Sequence, residues 1–202
     1  VNGRPKGEQS LPLQHSLYML GQEPHIEWRV LHAGEALTAT SYELTWLDSA
    51  IADIEWCDAV IWNTPVYTML VPWQLIRFVT LVRDGGRSAV FEGKYATSMM
   101  TRFHYYDHLA EDWLRGTSED LGMRFMEGRT ADNTDMLGEE HRASMRFFMH
   151  EFVQACREHA VVERKFMPLP SSGSPAFKPG KLGAVDVRAG EKGAGMPRTV
   201  LL

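Results

Sequence analysis

Cys57-Asp58-Ala59-Val60-Ile61-Trp62-Asn63-Thr64-Pro65-Val66-Tyr67 is the stretch on which the fold turns. Residues 58–62 form a short apolar run that ends in a turn at Asn63-Thr64-Pro65. Such a run, closed by turn residues, is the pattern of a strand buried in a parallel sheet. Helical patterns stand on both sides of it. Residues 41–56 repeat Leu44, Leu47, Ile51 and Ile54 at three- and four-residue steps, which predicts an amphipathic helix. Residues 72–82 place Leu75, Ile76, Val79 and Val82 on one face, and Asp84-Gly85-Gly86 stops that helix.

Further out the alternation continues. Residues 11–20 predict a helix with Ser10 as N-cap and Pro12 in the first turn, where its missing N–H is tolerated. Residues 25–32 alternate Ile26, Trp28 and Val30 and predict a strand. A strand over 95–101, a helix over 107–120 and a strand over 123–127 follow. A long helix over 139–159 carries Met145, Phe148, Phe152 and Cys156 on its core side. Val1 reads as the end of a first strand, because Asn2-Gly3-Arg4-Pro5 is turn chemistry. On this reading most of that strand is missing, and Thr199-Val200-Leu201-Leu202 has the texture of a strand beginning. Both ends are therefore expected to be cut edges. Five strands among helices predict an α/β three-layer sandwich. Its five-stranded parallel sheet, order 2-1-3-4-5, would open a ligand crevice at the carboxyl ends of the strands.

Composition bounds the function. The 202 residues are 44% hydrophobic and 23% charged, the globular norm. A net charge of −5 speaks against a nucleic-acid partner or a polybasic membrane anchor. Apolar runs are broken before they could span a bilayer, and no secretory signal is visible. Cys57 and Cys156, the only cysteines, exclude a Cys-ligated iron–sulfur cluster or zinc knuckle within this sequence. A reducing, cytoplasmic setting is expected. Residues 1–160 are read as one domain. From Met167 the texture becomes rich in Pro, Ser and Gly, and residues 161–202 are read as a tail or linker that can lead into a further domain.

Three loops at the crevice can carry chemistry. The first is Asn2-Gly3-Arg4-Pro5-Lys6-Gly7-Glu8-Gln9-Ser10, which runs into a helix. A turn on a helix N-terminus offers N–H groups and the positive dipole end to a phosphate; Arg4 and Lys6 add charge and Ser10 a hydroxyl. From its residues alone it reads equally well as an ordinary solvated turn. The second, Asn63-Thr64-Pro65-Val66-Tyr67-Thr68-Met69, can edge a flat ring or simply be a Pro-stiffened turn. The third, Thr101-Arg102-Phe103-His104-Tyr105-Tyr106-Asp107-His108, sets three aromatics at a strand end, fit to stack a ring or line a pocket. A metal held by His104 and His108 with Asp107 and Glu111 nearby is the competing reading. It ranks lower because such pairs usually pack or cap.

Several of these segments resemble the NADPH-dependent FMN reductase family, flavodoxin-like NAD(P)H oxidoreductases. Val1-Asn2-Gly3-Arg4-Pro5-Lys6 is similar to its Asn-Gly-Ser-Pro-Arg phosphate loop. Residues 57–67 are similar to its Ala-Asp-Ala-Ile-Ile-Phe-Gly-Ser-Pro-Val-Tyr, with Pro65-Val66-Tyr67 the most specific piece. Pro72-Trp73-Gln74-Leu75-Ile76-Arg77-Phe78, Glu92-Gly93-Lys94 and Leu121-Gly122-Met123 follow in the family's order, so the likeness spans roughly residues 1–160. Arg4 stands where the family has Ser, Pro12 stands near its Thr, and the third loop is bulkier than the family's Gly-rich one. The cysteine cluster of the related iron–sulfur flavoproteins is absent.

The resemblance implies FMN as cofactor and NAD(P)H as electron donor. It implies an enzyme that passes electrons to a quinone, a flavin or another small acceptor, as a homodimer or homotetramer, with the chemistry on the flavin. It implies cofactor contacts from Asn2, Gly3, Arg4, Lys6 and Ser10. The second loop would add Thr64, Pro65, Val66, Tyr67, Thr68 and Met69, and the third Thr101, Arg102, Phe103, His104 and Tyr105. Two other readings stay open: an FMN-binding electron-transfer or interaction domain of a longer protein with no substrate of its own, and a fold that has lost its cofactor.

Overall fold

The computed structural model describes residues 1–38, 44–102, 107–132 and 134–168. A compact unit spans Val1–Leu169, and Pro170–Leu202 lies outside the described residues. The unit contains α1 (Leu11–Leu20), the single turn α2 (Ala33–Ala36), α3 (Leu44–Trp56), β1 (Ala59–Pro65), α4 (Trp73–Asp84) and β2 (Tyr95–Arg102). It continues with α5 (His108–Asp120), β3 (Arg124–Phe125), β4 (Arg129–Asp132) and α6 (Glu139–Arg157). Every strand pair is parallel: β2 pairs with β1 on one side and with β3 and β4 on the other.

Side-chain alternation along the strands builds two cores. Ala96 and Met100 of β2 join Val60 and Trp62 of β1 on one face, covered by Leu47, Ile51 and Ile54 of α3, Leu75, Phe78 and Val82 of α4, and Leu114 of α5. Tyr95 and Met99 face the other way, under Met19 of α1 and Met145, Met149, Phe152 and Val153 of α6. The two-residue period of a strand assigns each neighbour to the opposite layer. Trp62, 1% exposed, donates its indole N–H to Ser118 Oγ at 2.9 Å, so the largest buried ring leaves no polar atom unpaired.

Among the described residues the regular sheet has four strands, not five. No regular strand forms over residues 25–32. That segment pairs only at its end, where Asn2 N–H donates to Leu31 O at 2.8 Å and Gly34 N–H to Asn2 O at 3.0 Å. Its neighbour Val1–Gly3 offers three residues, too few for a ladder. The period-two pattern of Ile26, Trp28 and Val30 thus lacks a partner along its length, and Trp28 is 49% exposed. On its other side Asn2 bridges Asn63 in parallel, with Gly3 N–H donating to Asn63 O and Asn63 N–H to Val1 O, each at 2.8 Å. Asn2 therefore lies between Leu31 and β1.

β1 also runs three residues past the expected strand end, through Asn63-Thr64-Pro65, in register with Met99-Met100-Thr101. Pro65 is tolerated because the odd positions of β1 face Val1–Gly3, which has already turned away at that height. Val66 N–H resumes the β2 side by donating to Thr101 O at 2.8 Å. The strand expected over 123–127 is split instead into β3 and β4. A Cβ on Gly128 would lie 1.8 Å from Ser98 Oγ, so the chain presses on β2 at the break. There Gly128 N–H donates to Glu111 Oε1 at 3.1 Å, and Glu127 O accepts from Thr97 Oγ1 at 3.3 Å. After α6 the chain returns to α5: Lys165 and Phe166 N–H groups donate to the buried Glu119 carboxylate at 2.9 Å each.

Candidate functional site

The carboxyl edge of the sheet gathers the three loops. Gly3 is tied to Asn63, and Val66 to Thr101, so the first loop abuts the end of β1 and the second abuts the end of β2.

The first loop is organised by Asn2, which is fully buried. Its Nδ2 donates to Gly7 O at 2.8 Å and lies 3.2 Å from His32 Nδ1; its Oδ1 accepts from Arg4 N–H at 3.2 Å. Asn2 therefore braces the loop from inside. Gly3 packs on Leu75, where a Cβ would lie 3.0 Å from Cδ2. Arg4 is half-buried; Nη1 donates to Gln9 O at 3.4 Å, and Nε is buried without a partner among the described residues. Lys6 is exposed, just before the 3-10 turn Gly7–Gln9. Ser10 is fully buried as N-cap of α1, yet Oγ makes no capping bond and has no partner among the described residues. A buried hydroxyl without a partner is rare, because it forfeits hydration and gains nothing in return.

The second loop leaves β1 with Thr64 and Pro65 buried and Val66 half-buried. It then closes a two-residue turn in which Tyr67 and Leu70 exchange backbone bonds at 2.7 and 3.1 Å. Thr68 and Met69 both have positive φ, 48° and 73°. Two consecutive positive φ values mark a type I′ turn, ordinarily made by Asn and Gly. A β-branched threonine there stores about 1–3 kcal/mol of strain. Tyr67, Met69, Leu70 and Trp73 stand 42–57% exposed, an apolar lip on this side of the edge.

In the third loop Thr101 is buried, and Arg102 Nη1 pairs with Asp107 Oδ2 at 2.8 Å while its Nε is buried without a partner among the described residues. Phe103, His104, Tyr105 and Tyr106 lie outside the described residues. Of the residues considered for a metal, Asp107 is engaged by Arg102, Glu111 by Gly128 N–H, and His108 is exposed. Among the described residues no three His, Cys, Asp or Glu side chains form a metal-holding group. Burial raises the Glu111 pKa despite the Gly128 hydrogen bond. Burial also raises both thiols, Cys156 up to about 12 with the Asp58 charge adding, so neither presents a thiolate nucleophile.

No family model matches the sequence, and neither does any curated protein. Solved structures do. FerB from Paracoccus denitrificans, a flavoenzyme NAD(P)H:(acceptor) oxidoreductase, aligns with a TM-score of 0.59 at 21% identity over 74% of this chain and 91% of that one. The apo form of the NADH:FMN oxidoreductase EmoB aligns at 0.56, with 16% identity over 76% and 86%. General stress protein 14 of Treponema denticola, solved in complex with FMN, aligns at 0.56, with 12% identity over 78% and 95%. The chain has the flavodoxin-like fold of these proteins.

Within this flavodoxin-like chain the expected residues of the first loop sit together, as do those of the second. Thr101 and Arg102 join them from β2. Sequence reasoning missed three supports. Ser16 Oγ donates to Asn63 Oδ1 at 2.5 Å, fastening α1 to β1. Asp107 anchors Arg102. His32 touches Asn2 across the fold, a contact that the strand-like pattern of residues 25–32 does not report. An Asn at the foot of a glycine turn, nine residues before α1 and rich in local polar neighbours, was the available signal. Among the described residues no helix is long and apolar enough to cross a membrane.

Proposed function

We propose that this chain is an FMN-dependent NAD(P)H oxidoreductase that passes electrons to a quinone, a flavin or another small acceptor. The observation that carries the reading is the pair of orphaned buried polar atoms at the head of α1, Ser10 Oγ and Arg4 Nε. Both are donors, and they flank a helix N-terminus whose first N–H groups have no intrahelical partner. An anionic phosphate satisfies all of these groups at once, and the positive end of the helix dipole favours it. The residues present therefore fit the phosphate end of FMN. They offer no Gly-x-Gly-x-x-Gly pattern for the pyrophosphate of FAD.

In this reading Asn2, Gly3, Arg4, Lys6 and Ser10 form the phosphate cradle, with Asn2 shaping it and Arg4 supplying charge where a hydroxyl is more usual. Thr64–Met69 edges the ring system, the strained Thr68-Met69 turn holding Tyr67 at the lip. Thr101 and Arg102 close the other side; the contacts expected from Phe103, His104 and Tyr105 fall outside the described residues. FMN supplies the electron chemistry when bound, taking electrons from a nicotinamide and delivering them to the acceptor. The chain's own work is to bind, orient and limit access, so no dedicated acid–base pair is needed. The fold of FerB, EmoB and the FMN-bound stress protein supports the general kind of activity. We propose further that the chain works in the cytoplasm as a homodimer or homotetramer, with neither nucleic acid nor membrane as partner. Steady-state oxidation of NADH and NADPH with added FMN and a panel of quinones tests the reading. Turnover that depends on FMN supports it; FMN uptake without turnover points to an electron-transfer domain instead.

A further inference from the structure

We infer that His32 is a positioning residue for the phosphate loop, acting through Asn2 as a neutral imidazole whose bare Nδ1 accepts the Asn2 amide. The inference rests on the FMN reading for its consequence, but its geometry stands on its own. The orientation of the Asn2 amide is settled by two partners that leave no choice. Arg4 N–H is a donor, so the atom it meets must be Oδ1. Gly7 O is an acceptor, so the atom beside it must be Nδ2. His32 Nδ1, 3.2 Å from that same Nδ2, therefore faces an N–H and must present a lone pair. The proton of the ring is then on Nε2. The other tautomer would set two donors against each other, and an imidazolium would add a charge to the same clash.

The arrangement matters because Asn2 holds the loop at both ends of its sharpest part. One side of its amide grips Arg4 and the other grips Gly7, and the residues between them set where Arg4 and Ser10 point. The backbone of Asn2 is clamped by the segment that carries His32: Asn2 N–H donates to Leu31 O and Gly34 N–H to Asn2 O. A Cβ on Gly34 would lie 2.4 Å from Gly3 O and from the Arg4 carbonyl carbon, so the segment presses directly on the loop. His32 thus completes a backbone clamp with a side-chain bond. It fixes the one rotamer of Asn2 that shapes the cradle.

Two measurements test this. Long-range proton–nitrogen correlation on the 15N-labelled full chain reads the His32 tautomer directly; a bare Nδ1 and a protonated Nε2 are expected, and a proton on Nδ1 would overturn the inference. FMN titrations compare the parent with His32→Gln, whose side-chain carbonyl can accept the same bond, and with His32→Leu, which cannot. His32→Leu should bind about tenfold more weakly, the effect of one lost positioning hydrogen bond, while His32→Gln should retain most of the parent's affinity. Parent-like affinity in His32→Leu, or equal losses in both variants, would overturn it. If the parent takes up no FMN, the FMN reading fails, and the tautomer still decides whether His32 accepts from Asn2.

Discussion

Replacing Ser10 by Ala should change folding and binding in opposite directions. Ser10 is fully buried, its Oγ bonds to nothing among the described residues, and it makes no capping bond to α1. An unsatisfied buried hydroxyl destabilises the folded state by about 1–3 kcal/mol, so the cofactor-free Ser10→Ala chain should equal or exceed the parent in stability. The same hydroxyl, once it donates to a phosphate, makes a charge-assisted hydrogen bond. Its removal should weaken FMN by about 1–3 kcal/mol, which is about 5- to 150-fold in Kd. Urea melts of the cofactor-free protein give the first quantity, and quenching of FMN fluorescence gives the second. An ordinary N-cap behaves the other way, since its loss destabilises by about 1 kcal/mol and leaves ligand affinity alone. A less stable Ser10→Ala chain with unchanged FMN affinity would refute the reasoning.

Other outcomes follow from the same geometry. Gly34→Ala should lower both stability, by about 1–3 kcal/mol, and FMN affinity, because its Cβ would drive Gly3 and Arg4 out of place; urea melts and titration read the two, and a silent substitution would mean the clamp is loose. Replacing Thr68-Met69 by Asn-Gly should stabilise the chain by about 1–2 kcal/mol, because these residues adopt positive φ readily; a lower urea midpoint would contradict the turn described. Burial lowers the His15 pKa, partly opposed by the Asp135 charge. The unfolded chain therefore takes up this proton first as pH falls, so the associated stability is present above about 6.5 and is lost below it. His15→Leu should reduce the loss of stability between pH 7.5 and 5, measured as the change in urea midpoint, and an identical pH dependence in parent and variant would count against a buried neutral His15.

Residues 57–67 made the fold legible because a parallel strand buried on both faces needs no partner-specific pattern: apolar length and a closing turn suffice. The helices α1, α3, α4, α5 and α6 were equally legible, since each buries one stripe, and α1, α4 and α5 also stop at or just before a glycine. The failures have a common cause, which is pairing. Ile26, Trp28 and Val30 alternate correctly, but a strand is made by its neighbours, and periodicity cannot report that Leu31 alone finds one. Likewise residues 123–127 have strand composition, while the press of Gly128 on Ser98 divides the ladder and shifts its second half to Arg129–Asp132. Asn63-Thr64-Pro65 reads as a turn by residue type, yet the side of the ladder that Pro65 faces is vacant, so the strand passes through it. At the site, sequence picked out Arg4, Ser10 and Tyr67 because charge, hydroxyl and aromatic character are visible in one residue. It missed His32 and Ser16 because their roles lie in what they touch across the fold.

The central claim is that the edge formed by the first loop and the head of α1 holds a single phosphate carried by a flavin. Equilibrium titration of the purified chain with FMN and with FAD, followed by flavin fluorescence, tests it most directly. The account predicts saturable FMN binding that is much tighter than FAD binding and that weakens in Arg4→Ala and Ser10→Ala. No FMN uptake at tens of micromolar, or preferential binding of FAD, would contradict it.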